Sequence, residues 1–170
     1  MLKKIAYSLV LLIVSTTSWA NESTTHTANT HVNTDLHAHA NNKHAFGVFI
    51  GGLRTDKRTY ASYGLEYAYE FNHQWATSFV WETVDGAHDG DRIETYVISA
   101  LYSPVDKVWL GLGYGKEKIH NENSGRENVY RVSVNYDFFV ENIKIAPMIA
   151  VDFVDGEQLA IFGASFGVTF

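Results

Sequence analysis

Apolar and polar side chains alternate with a period of two residues along most of the chain after residue 43. Such alternation is typical of β-strands with one apolar face, because successive side chains of a strand point to opposite sides. A sustained helical period of 3.6 residues is absent from this region. The pattern predicts eight strands, at roughly residues 44–54, 58–71, 73–84, 92–103, 106–117, 127–140, 142–153 and 157–170.

The two faces of these strands differ in size as well as polarity. In the last strand, Phe162, Phe166 and Phe170 share one face, whereas Gly163 and Ser165 belong to the other. One face is therefore large and apolar, and the other is small or charged. A soluble barrel of the lipocalin kind would turn the apolar face inward, whereas a membrane barrel turns it outward.

The aromatic residues favour the membrane alternative. They lie near the strand ends on the apolar face, as in the interfacial girdles of membrane proteins. The small face, rich in glycine and alanine, also suits a narrow lumen. One predicted girdle contains Phe46, Phe71, Trp75, Tyr102, Phe138 and Phe170. The other contains Trp81, Tyr114, Tyr130 and Phe153.

The predicted connections alternate in length. Those after strands two, four and six are tight, around Asn72, at 103–105 and around Glu141, and those after strands three and five are longer, at 85–91 and 118–126. Short periplasmic turns and longer outer loops are typical of outer-membrane barrels. An even strand number also closes the barrel and leaves no free edge.

The segment from His44 to Phe170 resembles the small outer-membrane barrel families, such as the OmpA membrane domain, OmpX and OmpW. Residues 163–170, GASFGVTF, resemble the C-terminal signal that the barrel-assembly machinery reads. The resemblance implies an eight-stranded antiparallel transmembrane β-barrel of up-and-down topology. It also implies periplasmic chaperones and the assembly machinery as partners, and lipids with lipopolysaccharide as surroundings.

The start of the chain has the pattern of a secretory signal peptide. Lys3 and Lys4 precede an apolar stretch at 5–14, and Ala20 ends a small-residue cleavage motif. This stretch is shorter than the roughly 20 residues that a membrane-spanning helix needs, so cleavage after Ala20 is expected. Asn21 follows where a lipoprotein would have cysteine. We therefore expect export to the outer membrane.

The charge balance after cleavage excludes one class of partner. Removing the 20-residue signal from the 170-residue chain leaves 150 residues. The signal contains two of the 13 basic residues and none of the 19 acidic ones, so the net charge becomes 11 minus 19, or −8. A nucleic-acid partner would require clustered Lys and Arg, so none is expected. Because the chain has no cysteine, its fold must be held by its core or by sheet closure.

Residues 21–43 have few large apolar side chains and predict a disordered periplasmic arm. This arm and the residue after it hold a cluster of histidines, His26, His31, His37, His39 and His44. Histidine-rich tracts collect Zn²⁺, Cu²⁺ or Ni²⁺ without a fold, so a divalent metal is the one cofactor considered. The alternative is a polar tether whose histidines are incidental.

Charged residues of both signs are predicted on the inner face. Lys107, Asp137 and Lys144 lie near the periplasmic ends of three successive strands, where neighbours can pair. Other levels hold Glu66, Glu70, Glu82, Arg131 and Asp152. Unpaired buried charge is costly, and an eight-stranded barrel is just wide enough for its own side chains. We therefore expect paired charges and no large pore.

Three functional classes follow from these features. The leading one is a structural or surface-interaction role, and the second is metal capture by the histidine-rich arm. The third is a lipid-modifying enzyme at the barrel rim. Nucleophilic catalysis would need a histidine close to an outward serine and a carboxylate, and His73, His88 and His120 show no such spacing. No catalytic residue is therefore assigned. The loop at 85–91 lacks a full EF-hand pattern, which favours a flexible turn over a cation site.

Overall fold

The computed structural model of the chain describes residues 42–55, 58–88, 91–120 and 125–170. The predicted signal peptide and nearly all of the predicted arm lie outside these residues. The strands are β1 (His44–Arg54), β2 (Thr59–Asn72), β3 (Trp75–His88), β4 (Asp91–Val105), β5 (Val108–His120), β6 (Arg126–Tyr136), β7 (Phe138–Val140), β8 (Ile143–Val154) and β9 (Glu157–Thr169). In this part of the chain, no helix is long and apolar enough to cross a membrane.

The strands close into a barrel. Except for β6 and β7, strands adjacent in sequence pair antiparallel; β1 also pairs with β9, and β6 and β7 both pair with β8. The strand predicted at 127–140 is interrupted at Asp137, so β6 and β7 occupy one position of the barrel. The predicted eight-stranded antiparallel barrel is therefore confirmed.

The two ends of the barrel differ in how the strands connect. One end, which we call the turn end, holds His44, Phe170 and the turns at 73–74, 106–107 and 141–142. The opposite end, the hairpin end, holds the β1–β2, β3–β4, β5–β6 and β8–β9 connections. Asn42 and residue 43 are attached to the turn end, because the Asn42 amide donates to the Thr169 carbonyl at 3.2 Å and Glu70 N–H donates to the Lys43 carbonyl at 2.8 Å.

Two predicted connections are wrong in position, and the loop predicted at 118–126 is too long, because residues 118–120 belong to β5 and Arg126 begins β6. Residues 103–105 end β4, and the turn follows at 106–107, where Lys107 adopts φ 68°. Most of 85–91 belongs to the β3–β4 hairpin instead of a loop. Asp85 supports this hairpin on the outer face, since its carboxylate accepts hydrogen bonds from Tyr63 at 2.9 Å and Arg92 at 2.8 Å.

The outward face carries the large apolar side chains, as predicted. Leu112 and Ile149 are each 68% exposed and Ile98 is 63% exposed. The inward face differs from the prediction, because it is not only small or charged. It also holds a cluster of buried apolar residues, Phe49, Leu53, Val84, Ile93, Val97, Val129, Met148, Ala150, Val154, Leu159 and Ile161.

The buried cluster fits because glycines lie beside its largest member. Phe49 is 1% exposed. Its ring carbons lie only 2.7 Å from the positions that Cβ atoms would occupy on Gly51 and Gly163. Any larger residue at either glycine would displace the ring. The small inner-face residues therefore make room for large ones on neighbouring positions.

Candidate functional site: the barrel lumen

A network of buried charges crosses the lumen near the aromatic residues of the hairpin end. Arg131 donates to Asp152 from Nε and from Nη2, both at 2.7 Å, and Nη2 also lies 3.0 Å from Glu82 Oε2. The three side chains are only 2–3% exposed. The Ser62 hydroxyl donates to the second oxygen of Glu82. The structure thus joins three of the charges predicted on the inner face.

The position of these residues makes the network a bar across the lumen. Arg131 belongs to β6 and Asp152 to its neighbour β8, whereas Glu82 belongs to β3, which lies four strand positions from β8 in the closed barrel. The bar therefore connects opposite walls. One buried cation faces two carboxylates, and charge-assisted hydrogen bonds offset part of the cost of burial.

A second cluster occupies the turn end. Asp137 Oδ2 accepts from Trp109 Nε1 at 2.9 Å and lies 2.8 Å from Lys144 Nζ. The predicted pairing of Asp137 with Lys144 is present. The side chain of Lys107 is instead exposed in the turn, since that residue reverses the chain, and its carbonyl accepts from Asp137 N–H at 2.8 Å. Trp109 was not predicted as part of this cluster, although a tryptophan on the glycine-rich face of β5 was a signal for it.

The remaining predicted carboxylates lie near Lys144. The Ser165 hydroxyl donates to Glu66, which with Lys144 lines a cavity of about 20 Å³, room for about one water. Glu70 and Asp137 line a wider opening of about 260 Å³ at the turn end. None of the residues that line this opening belongs to the charged bar or to the buried apolar cluster.

The buried apolar cluster lies on both sides of the charged bar, with Ala150 toward the turn end and Val154 toward the hairpin end. Its members come from six strands, and Tyr60 of β2 and Ile119 of β5 pack against it. Every strand position of the barrel therefore contributes a side chain. Side chains packed at the usual density of protein interiors leave few voids larger than a water molecule.

Glu117 lies beside this cluster on the inner face of β5, two positions before Ile119, which packs against the cluster. It is beyond Tyr114, in the part of the strand whose outward neighbours are Lys116 and Lys118, so it projects past the apolar belt. Burial raises the pKa of Glu117 to about 7, and repulsion by nearby carboxylates adds to the increase. These carboxylates belong to Glu127, Asp152, Glu82 and Glu157.

The residues of the predicted girdles lie on the outer face near the strand ends. At the turn end, the rings of Trp75 and Tyr102 are 4.9 Å apart. At the hairpin end, Tyr114 and Tyr130 are 5.4 Å apart. Phe46, Phe71, Phe138, Phe153 and Phe170 are exposed, whereas Trp81 is half-buried. Their role at the membrane interface stays a prediction.

Of the five predicted metal ligands, His26, His31, His37 and His39 lie outside the described residues. The fifth, His44, stacks on Phe170 with ring centroids 5.5 Å apart, and its Nδ1 is 2.8 Å from the Tyr67 hydroxyl. It thus belongs to the aromatic surface of the turn end. Within the described ranges, no group of three or more His, Cys, Asp or Glu residues could hold a metal ion.

Two of the other histidines lie at strand ends and not in loops. His88 ends β3 and His120 ends β5, because both hairpins extend farther than the sequence pattern predicts. The imidazole Nε2 of His120 is 3.8 Å from Glu94 Oε2. His73 occupies the turn at 73–74, as predicted, and is exposed.

Neither a protein-family model nor a curated protein matches the chain. Among solved structures, neisserial surface protein A matches with a TM-score of 0.56 at 11% identity, over 75% of this chain and 96% of that one. The N-terminal β-barrel domain of Pseudomonas aeruginosa OprF matches with a TM-score of 0.54 at 15% identity, over 76% and 99%. A designed transmembrane β-barrel matches with a TM-score of 0.51 at 10% identity, over 75% and 97%.

These similarities define the class of protein. The chain has the fold of the small transmembrane β-barrels, with a large apolar outer face and a filled lumen. The predicted resemblance to small outer-membrane barrels is confirmed at the level of the fold. At 10–15% identity, the similarity does not extend to any particular activity.

Proposed function

We propose that this chain is an outer-membrane β-barrel with a structural or surface-interaction role and no large pore. The observation that carries the proposal is the bar from Arg131 to Glu82 and Asp152, which connects opposite walls of the lumen. Buried apolar side chains fill the lumen on both sides of this bar. The hairpins at the other end would face the outside and supply the interaction surface.

The outer face supports the proposed location. Its exposed apolar side chains surround the barrel. Large contiguous apolar patches on a protein surface mark sites of protein association or membrane contact. Lipid would cover them. We expect outer-membrane fractions to contain the protein, and we expect it to migrate differently on a detergent gel before and after boiling. Recovery in the periplasmic fraction without such a shift would contradict the proposal.

Single-channel recording tests the absence of a pore. The purified protein should give no stable steps at the nanosiemens scale in a planar bilayer, because an eight-stranded barrel is filled by its own side chains. A known porin in the same preparation provides the positive control. Stable nanosiemens steps that depend on the protein would overturn the proposal of a closed lumen.

A second candidate function is metal capture by the N-terminal histidines. Five of the eight histidines fall within nineteen positions, from His26 to His44. Since His44 already contacts the Tyr67 hydroxyl, the other four carry this candidate. Zinc titration should show binding that is lost when these four are replaced by alanine, and that persists in a His120→Ala control. Equal binding by both variants would reject it.

We propose no enzymatic role. His44 contacts the Tyr67 hydroxyl, and His120 lies near the Glu94 carboxylate. Neither of these two contacts includes a serine, which a lipid hydrolase of the serine type would need. Mass spectra of lipid A should therefore be the same in cells that lack the protein and in cells that overproduce it. A new or missing acyl chain in either spectrum would contradict this proposal.

A further inference from the structure

Three basic residues lie on the outer face of the barrel just beyond the aromatic residues of the hairpin end. Lys116 and Lys118 of β5 alternate outward after Tyr114, and Arg126 is the first residue of β6. Lys118 and Arg126 are directly opposite each other in the β5–β6 pairing. We call these three residues the basic patch.

The basic patch has no internal charge balance. None of its three side chains makes an ion pair with another described residue, whereas Arg92, Arg131 and Lys144 each have a carboxylate partner. Like charges at directly opposite positions of neighbouring strands destabilise the pair. An external anion between Lys118 and Arg126 would remove this repulsion.

The carboxylate opposite Lys118 on β4 does not neutralise the patch. Glu94 is opposite Lys118 in the β4–β5 pairing. Its Oε2 accepts from the Tyr96 hydroxyl at 3.2 Å and is 3.8 Å from His120. Among the described residues of this outer surface, three cations against one carboxylate leave a local positive charge on a chain whose formal net charge is −6.

A groove with two chemically different parts joins the patch to the apolar belt. It has a volume of about 490 Å³. The basic patch lines its upper part together with Glu94 and Glu117, and its lower part is lined by Phe79, Ile98 and Tyr114. Because the lower part belongs to the apolar outer face, a ligand there would touch both cations and the lipid-facing surface.

We propose that this groove binds a phosphorylated lipid of the outer leaflet. Its phosphates would contact Lys116, Lys118 and Arg126, and its acyl chains would lie along Phe79 and Ile98. Lys and Arg are the usual phosphate-binding residues, and an arginine fork adds directionality. The apolar lower part favours a lipid over free phosphate. This inference rests on the proposed outer-membrane location.

Native mass spectrometry of the detergent-purified full chain tests the inference, with diphosphoryl lipid A as the probe. The variant K116Q/K118Q/R126Q removes the patch. The variant K43Q/R54Q/R58Q removes the same charge from other exposed positions and serves as the control. We expect the patch variant to retain lipid about tenfold or more weakly than wild type, and the control to match wild type, because each basic residue adds attraction to anionic lipid.

Two further probes identify the ligand group. Lipid A without its phosphates should bind wild type and the patch variant equally weakly, and millimolar inorganic phosphate should not displace the phosphorylated lipid. Equal retention by the patch and control variants, or full displacement by inorganic phosphate, would overturn the inference. The gel shift on boiling is measured on the same samples, so failure of the barrel proposal is distinguished from failure of the patch.

Discussion

Arg131 and Asp152 lie at directly paired positions of β6 and β8 and form a two-point ion pair, with both nitrogen–oxygen distances at 2.7 Å. Parallel hydrogen bonds of this kind fix the orientation of both side chains. The same guanidinium reaches Glu82 across the lumen. One arginine therefore both supports the β6–β8 seam and obstructs the lumen.

Replacing Arg131 with methionine should destabilise the barrel strongly. The change keeps most of the side-chain length but leaves Glu82 and Asp152 buried without a cation. We expect a loss of about 3–5 kcal/mol in the free energy of unfolding. Urea titration of the protein in lipid vesicles measures it.

The triple variant R131M/E82Q/D152N separates charge from packing. It also removes the two orphaned carboxylates, so most of the lost stability should return. A triple variant as unstable as R131M would show that the arginine acts through packing and not through charge.

Replacing Phe49 with alanine should open a cavity in the lumen. Phe49 is 1% exposed, so we expect a loss of about 3–5 kcal/mol in the free energy of unfolding. The neighbouring Ile50 is 60% exposed on the outer face, where lipid can fill the space, so Ile50→Ala should cost less. Comparable losses for the two variants, measured by the same urea titration, would contradict a packed lumen.

Replacing Gly64 with alanine should disturb the pairing of β2 with β3. A Cβ there would overlap the Trp81 carbonyl oxygen and lie 2.9 Å from Glu82 Cα, and neither backbone atom can rotate away. We expect a loss of about 1–3 kcal/mol or a failure to assemble. Gly125→Ala is the control, because nothing lies within 4 Å of its Cβ position. A wild-type gel shift and stability in Gly64→Ala would refute the expectation.

Replacing Glu117 with glutamine should flatten the dependence of stability on pH. The pKa of Glu117 is about 7 in the folded barrel, above the usual value of 4.5, so the folded state holds its proton more tightly than the unfolded state. Its ionisation therefore lowers stability progressively as the pH rises from about 4.5 to about 7. Urea midpoints between pH 4 and 8 should decline more for wild type than for the variant, and parallel declines would contradict the raised pKa.

Much of the fold could be predicted from alternation alone. Lipid-facing positions must be uniformly apolar, so the pattern at Phe162, Phe166 and Val168 reveals both the strand and its outward face. The predicted strand start at His44 coincides with the observed one. The hairpin around 85–91 was less predictable, because it depends on hydrogen bonds among Tyr63, Asp85 and Arg92, which the local sequence does not show.

The candidate sites could be predicted only in part. Asp137 and Lys144 lie seven positions apart near one turn, so their pairing follows from local topology. The basic patch was missed because lysines on an apolar face interrupt the pattern, although their position directly after Tyr114 was a signal.

The sequence by itself determined the number of strand positions in the barrel, their antiparallel order and the face that each turns outward, because these follow from side-chain alternation and short connections. The tertiary structure alone decided what fills the lumen. Glu82 and Asp152 are 70 positions apart, and they meet the same guanidinium only because closure brings opposite walls within reach. A period of two residues says which side chains point inward, but the distances across a closed barrel depend on how its strands are staggered.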